Sequence, residues 1–169
     1  KDGRLRQFRK SDGLSSDFVQ CLLPGRDGTL WIGTSDGGLN RLKDGKFSVI
    51  GMRQGLPNNV ICHLAEDQRG FFWIGSHGGI LRVATTDLER CATGEISQVN
   101  GLVYGRSDGL PTLECAGGLQ PAGTETADGR LWFSTSKGLV AVDPGNVFTN
   151  QLAPPVVIEE LRVDDQVLE

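Results

Sequence analysis

A shift of 42 places lays the first part of the chain on the second. Lys1-Asp2-Gly3 falls on Lys43-Asp44-Gly45, Gly13-Leu14 on Gly55-Leu56, Leu22 on Leu64, and Trp31-Ile32-Gly33 on Trp73-Ile74-Gly75. A register held over so many positions constrains the fold more than any local propensity, because a repeated unit buries its apolar faces against its own copies. A third copy follows after insertions. Asp108-Gly109-Leu110-Pro111 matches Gln54-Gly55-Leu56-Pro57, and Leu131-Trp132-Phe133 matches Leu30-Trp31-Ile32. The unit occurs three times, each copy marked by one tryptophan: Trp31, Trp73 and Trp132.

Within a unit the signals are for strands. Phe18 to Leu23 and Val60 to Ala65 are short apolar runs, followed by Leu30 to Gly33 and Phe71 to Gly75, then by Leu39 to Leu42 and Ile80 to Val83. No stretch within the unit keeps a helical period for long enough to compete. Asp-Gly pairs begin at Asp2, Asp12, Asp27, Asp36, Asp44, Asp108 and Asp128, between the runs, where these residues supply the positive φ of tight hairpins. Val60-Ile61-Cys62 and Phe18-Val19 are apolar at successive positions, which predicts sheets covered on both faces. Four-stranded units of this length, stacked face to face, are the pattern of a β-propeller. Lys1 to Phe8 matches Lys43 to Ile50, so residues 1–8 read as the outermost strand of a preceding blade. Three units do not close a ring of roughly four to eight blades, and the chain reads as an arc.

The run Asp27-Gly28-Thr29-Leu30-Trp31-Ile32-Gly33-Thr34, with Gly37-Gly38-Leu39-Asn40-Arg41 after it and Gly55-Leu56-Pro57-Asn58 before the next inner strand, resembles the two-component regulator propeller repeat. Copy three has the form that ends such propellers, Asp128-Gly129-Arg130-Leu131-Trp132-Phe133 and then Gly138-Leu139-Val140-Ala141-Val142-Asp143-Pro144. Pro154-Pro155-Val156-Val157-Ile158 and Leu161-Arg162-Val163 resemble the start of the immunoglobulin-like triple-tyrosine domain that commonly follows. The resemblance implies an extracytoplasmic sensor region of a bacterial membrane receptor, with a histidine kinase or sometimes a diguanylate cyclase as cytoplasmic output. Copy two departs from the pattern with an insertion around Thr85 to Gln98, and copy three is stretched around Gln120 to Ala127.

Charge excludes some partners. The formal net charge is -4, so clustered cations that would hold nucleic acid or an anionic membrane surface are not expected, and membrane attachment is expected only through flanking segments of a receptor. Glycine, at 24 of 169 residues, supports a turn-rich chain. A start at Lys1 and an end at Glu169 inside an apolar pattern read as a segment of a longer polypeptide.

No residue is assigned a catalytic, cofactor or metal role. The glycine-rich loops Gly33 to Gly38 and Gly75 to Gly79 lack the helix start and lysine of a phosphate cradle and read as strand turns. Cys21, Cys62, Cys91 and Cys115 lack zinc spacing; Cys21 and Cys62 read as small buried hydrophobes, Cys91 as exposed in the insertion. A disulfide would suit an exported protein, although no pairing follows from the sequence. His63 and His77 have no nucleophile elbow beside them, and Glu66-Asp67 and Glu159-Glu160 are adjacent residues that a strand sends to opposite faces. The three tryptophans share one repeat position and read as packing between blades rather than as a sugar platform. A ligand site is better sought where the copies differ: Asn59 to Cys62, His77, and the loop Thr112 to Gly117.

The sequence therefore predicts an all-β partial β-propeller of about three four-stranded antiparallel blades with a short C-terminal strand segment. The repeats run over 9–50, 51–104 and 105–147, and residues 148–169 form a linker and the first strand of an immunoglobulin-like domain. The expected role is non-catalytic binding of a small ligand, with carbohydrate as one admissible class by analogy. A propeller enzyme such as a polysaccharide lyase or glycoside hydrolase, and a structural scaffold, are the alternatives. The apolar faces of the terminal blades predict neighbouring blades or a second copy of the chain as partners.

Overall fold

In the first two repeats the apolar runs pair in chain order. Strands β1 (Val19–Pro24), β2 (Leu30–Thr34), β3 (Leu39–Lys43) and β4 (Lys46–Ile50) form one antiparallel sheet. Strands β5 (Ile61–Glu66), β6 (Phe71–Ser76), β7 (Gly79–Ala84) and β8 (Gly101–Tyr104) form the second. The computed structural model describes residue 3, residues 5–25, 27–118 and 121–147, and the backbone of 161–163 and 166–168. The third sheet holds β9 (Gly123–Glu125), β10 (Leu131–Thr135) and β11 (Gly138–Val142), in the order β11-β10-β9. It has three strands among the described residues where four were expected. After β11 the chain turns at Pro144–Asn146, where Pro144 has no N–H to give a ladder and Asp143 caps the turn by accepting from Gly145 N at 2.8 Å. A separate hairpin joins β12 (Leu161–Val163) to β13 (Gln166–Leu168); Pro154 to Ile158 lie outside the described residues. Of the predicted outer strand 1–8, Lys1, Asp2 and Arg4 lie outside the described residues, and residues 5–8 form no ladder.

Inner strand β1 runs beside β5, and β5 beside β9, so the three sheets stack as consecutive blades. Two cores result, one per junction. Cys21, Trp31, Leu39 and Ile50 of blade 1 meet Ile61, Leu64, Phe72 and Ile74 of blade 2. Cys62, Trp73 and Ile80 of blade 2 meet Cys115, Leu131 and Phe133 of blade 3. Trp31 and Trp73 thus face the following blade, with Trp31 against the Phe72 ring at 5.2 Å. Trp132 occupies the same position on blade 3, where no described blade follows, and is half-buried. The expectation of two covered faces holds for Ile61 and Cys62, both fully buried, but fails for Phe18 and Val19, which are 74% and 46% exposed because no blade covers that side of blade 1.

The glycine of Trp-Ile-Gly has a steric reason. A Cβ at Gly33 would lie 2.4 Å from Cys21 Sγ and 2.7 Å from Ile61 Cγ2, inside van der Waals contact, so a side chain there wedges blade 1 from blade 2. At Gly75 the nearest atoms, Phe133 Cδ1 and Cys115 Sγ, stand at 3.1 and 3.3 Å. The third copy reads Trp132-Phe133-Ser134, and its Ser134 is admitted because that face is open. Gly33→Ala is expected to cost about 1–3 kcal/mol in urea unfolding and Gly75→Ala distinctly less. Equal losses at the two positions would contradict this account of the motif.

Two of the Asp-Gly pairs do not make hairpins. Residues 10–12, 52–54 and 106–108 form single 3-10 turns ended by Gly13, Gly55 and Gly109 at φ near 100°. In each, the side chain of Asp12, Gln54 or Asp108 accepts from the backbone N–H three residues earlier, at 2.8 to 3.0 Å. This device recurs before every inner strand and buries Leu14, Leu56 and Leu110. A second departure is the insertion in copy two, which opens with helix α1 (Thr85–Thr93) between β7 and β8. The helix crosses onto β4 of blade 1, buries Leu88 fully, and half-buries Cys91, which was expected to be exposed.

Candidate functional site

The residues singled out as differing between copies are tied to neighbouring segments by backbone hydrogen bonds. Gly38 N donates to Asn59 O at 2.9 Å, His77 N to Val60 O at 3.3 Å, Gly79 N to Leu113 O at 2.9 Å and Cys115 N to Ser76 O at 3.0 Å. Their side chains mostly serve the turns. Asn59 Oδ1 accepts from Met52 N at 3.0 Å, and Ser16, Asn58 and Thr112 each accept from the N–H two residues on. Thus three different residue types do one job at equivalent places. His77 is exposed, while Cys62 is buried in the second core. The glycine-rich loops are turns whose amides are already used: Gly37 N donates to Thr34 Oγ1 at 3.1 Å and Gly78 N to Ser76 Oγ at 3.0 Å.

The distinctive feature lies on the inner strands. In blade 3 the inner strand begins with Cys115 bridged to Thr135, leaves the sheet, and returns as β9 at Gly123. Ser134 pins both ends of the detour: its carbonyl accepts from Ala116 N at 2.9 Å, and its N–H and Oγ donate to Ala122 O at 3.1 and 2.6 Å. Gly117 lies so close to the other blades that a Cβ would fall 2.3 Å from Gln20 Oε1 and 2.9 Å from Cys62 Cα. Gly117 of blade 3 therefore packs on the Cys62 backbone of blade 2, where only glycine fits, and meets the end of the Gln20 side chain of blade 1.

A cleft of about 370 Å³ lies beside the detour, lined by Cys21 and Leu22 of blade 1, His63 and Leu64 of blade 2, and Pro121, Ala122 and Gly123 of blade 3. Its size falls within the range of small-molecule sites. The polar group is His63, which stands edge-on to Phe133 at 5.4 Å. Burial pushes its pKa below the ordinary histidine value, so the ring is neutral and offers one donor and one acceptor. The thiols are inert by the same cause: burial pushes Cys21 and Cys62 up to about 12 and Cys115 to about 11. All four cysteines are free.

Of the residues singled out in the sequence, Cys62 is buried in the second core, and none of Asn59 to Cys62, His77 or Thr112 to Gly117 lines this cleft. His63, which the sequence offered only as a packed or surface residue, does line it, and Pro121, Ala122 and Gly123 escaped the sequence reading. The stretched segment was visible as Gln120 to Ala127, but its packing against other blades depends on tertiary contacts. Glu66 and Asp67 are structural: Glu66 accepts from Thr85 Oγ1 at 3.0 Å, and Asp67 from Trp73 Nε1 at 2.9 Å. Glu159 and Glu160 lie outside the described residues. Among the described residues no three His, Cys, Asp or Glu side chains gather to hold a metal ion, and no helix is long and apolar enough to cross a membrane.

The two-component regulator propeller family matches residues 13–36 and 55–78. No curated protein matches the chain. Among solved structures, the extracellular domain reported for the hybrid two component system BT3049 of B. thetaiotaomicron superposes with a TM-score of 0.72 at 20% identity, covering 98% of this chain and 22% of that one. That of BT4673 from the same organism gives a TM-score of 0.60 at 22% identity, over 78% of this chain and 18% of that one. At such identities the likeness is one of fold, and this chain spans about a fifth of the length of those structures.

Proposed function

From a chain that carries the repeats of the two-component regulator propeller family, we propose a non-catalytic, ligand-sensing segment of the extracytoplasmic sensor of a bacterial two-component receptor. The receptor meets the membrane through segments flanking this one, and its output is a histidine kinase. The observation that carries the reading is the cleft in which three separate blades contribute walls: Cys21 and Leu22, His63 and Leu64, and Pro121 to Gly123. A ligand seated there binds best when the three blades hold one spacing, and a sensor works by such a difference in affinity between two arrangements. Carbohydrate fits the reading as a ligand class, since a neutral imidazole both donates to and accepts from hydroxyl groups. The open faces of blades 1 and 3 carry neighbouring blades of the longer receptor, or a second copy of this chain where those blades are missing.

The test is a calorimetric and thermal-shift screen of mono- and oligosaccharides. A saturable ligand is expected, with binding at least about tenfold weaker in His63→Gln because a buried hydrogen bond is lost or distorted. Release of shortened sugar products in the same screen would instead establish a propeller enzyme. The complete lack of a saturable ligand would leave a structural scaffold.

A further inference from the structure

The first two blades contain the same cross-strand pair, a tryptophan opposite an arginine: Trp31 with Arg41, and Trp73 with Arg82. Their surroundings differ. Arg41 is 8% exposed, and its Nη2 meets Glu89 Oε2 at 2.5 Å, a carboxylate brought by helix α1 from the following blade. Arg82 is half-buried, with its guanidinium 3.5 Å above the Phe71 ring and 5.7 Å from that of Trp73. Among the described residues it has no ion pair, and its buried Nε, like that of Arg41, has no hydrogen-bond partner. Blade 3 has no described helix to supply the missing carboxylate. Instead Arg82 lines an open cleft of about 410 Å³ with Phe71, Asp87, Asn100 and Leu102.

A guanidinium stacked on an aromatic ring is pre-oriented, and its planar fork of N–H groups matches a carboxylate. Asp87 lines the same cleft but pairs with Arg90 at 3.6 Å. Asn100 adds an amide for hydroxyl or carbonyl groups, and Leu102 and Phe71 provide apolar wall for a ring. We propose that this cleft binds a carboxylate-bearing ligand of sugar-ring size, whose carboxylate takes on Arg82 the place that Glu89 takes on Arg41. The site is separate in residues from the inner-strand cleft and does not require it.

The experiment follows the Arg82 Nε–H and Trp73 Nε1–H resonances of the whole chain while glucuronate, glucose or acetate is added. Glucuronate should shift both resonances saturably, and glucose, which lacks only the carboxylate, should leave Arg82 unmoved. Acetate should act at least about tenfold more weakly than glucuronate, since it lacks the ring. Binding should weaken by at least about tenfold in Arg82→Gln, recover only in part in Arg82→Lys, and persist in His63→Gln. Near-ultraviolet dichroism checks that each variant remains folded; if Arg82→Gln unfolds, the wild-type comparison of the three additives decides. Equal response to glucose, equal response to acetate, no response to glucuronate, or full binding in a folded Arg82→Gln would each overturn the proposal.

Discussion

Trp73→Ala is expected to remove about 3–5 kcal/mol of unfolding free energy, near the top of the range for a single core substitution and enough to unfold a marginal domain. Trp73 is completely buried and stacks on Tyr104 with ring centroids 5.7 Å apart. Its indole N–H donates to Asp67 Oδ2 at 2.9 Å, and the other oxygen of that 5%-exposed carboxylate accepts from Arg69 N and Phe71 N. The truncation therefore leaves a cavity between blades 2 and 3 and also removes a donor from a buried acceptor, two penalties that add. Trp132→Ala, at the same repeat position, is expected to cost only about 1–2 kcal/mol, because half-burial leaves less apolar area to lose and its partner Thr126 is exposed to water. Urea unfolding at dilute concentration compares the two. A Trp132 loss as large as that of Trp73, growing with protein concentration, would show instead that a second copy covers blade 3.

The repeat step and the Trp-x-Gly spacing placed seven of the eight strands in the first two sheets, because hydrophobic alternation, turn glycine and blade stacking all act within one unit; β8, beyond the insertion, was not singled out. Even the exception was written in residues: Ser134 stands where Gly33 and Gly75 stand, and the structure shows an open face there. Helix α1 was missed although Leu88, Cys91 and Ala92 have helical spacing, since nine residues give little signal and its N-cap residue is Ala84, with no side-chain cap. What the sequence withholds is contact between units. Gly117 looks like any loop glycine until it is found against Gln20 and Cys62 of two other blades. Likewise Arg41 and Arg82 are indistinguishable by repeat position, and only the docking of α1 on blade 1 gives one of them a carboxylate. One candidate site therefore arises where an insertion crosses a junction between blades, and the other where no described helix docks on the repeated arginine.

That same docking sets the second large effect. Leu88→Ala is expected to destabilise the fold by about 2–5 kcal/mol, since Leu88 is fully buried in the core between blades 1 and 2 together with Ile50, Val83 and Val99. The helix has no side-chain N-cap and is too short to persist alone, so this packing must hold it in place. Once it lifts, Arg41 loses Glu89 and stays behind with its Nε already unpartnered, which makes separation of blade 1 from blade 2 easier as well. Glu89→Gln, which keeps the shape but removes the charge, should cost less than Leu88→Ala because the Glu89 side chain is 30% exposed and solvent screens the pair. Hydrogen exchange distinguishes a clamp from a bystander: in Leu88→Ala the amides of β1 and β4 should exchange faster along with those of α1, whereas β9 to β11 should be little changed. Faster exchange confined to the helix would mean that blade 1 is held by its inner strand alone.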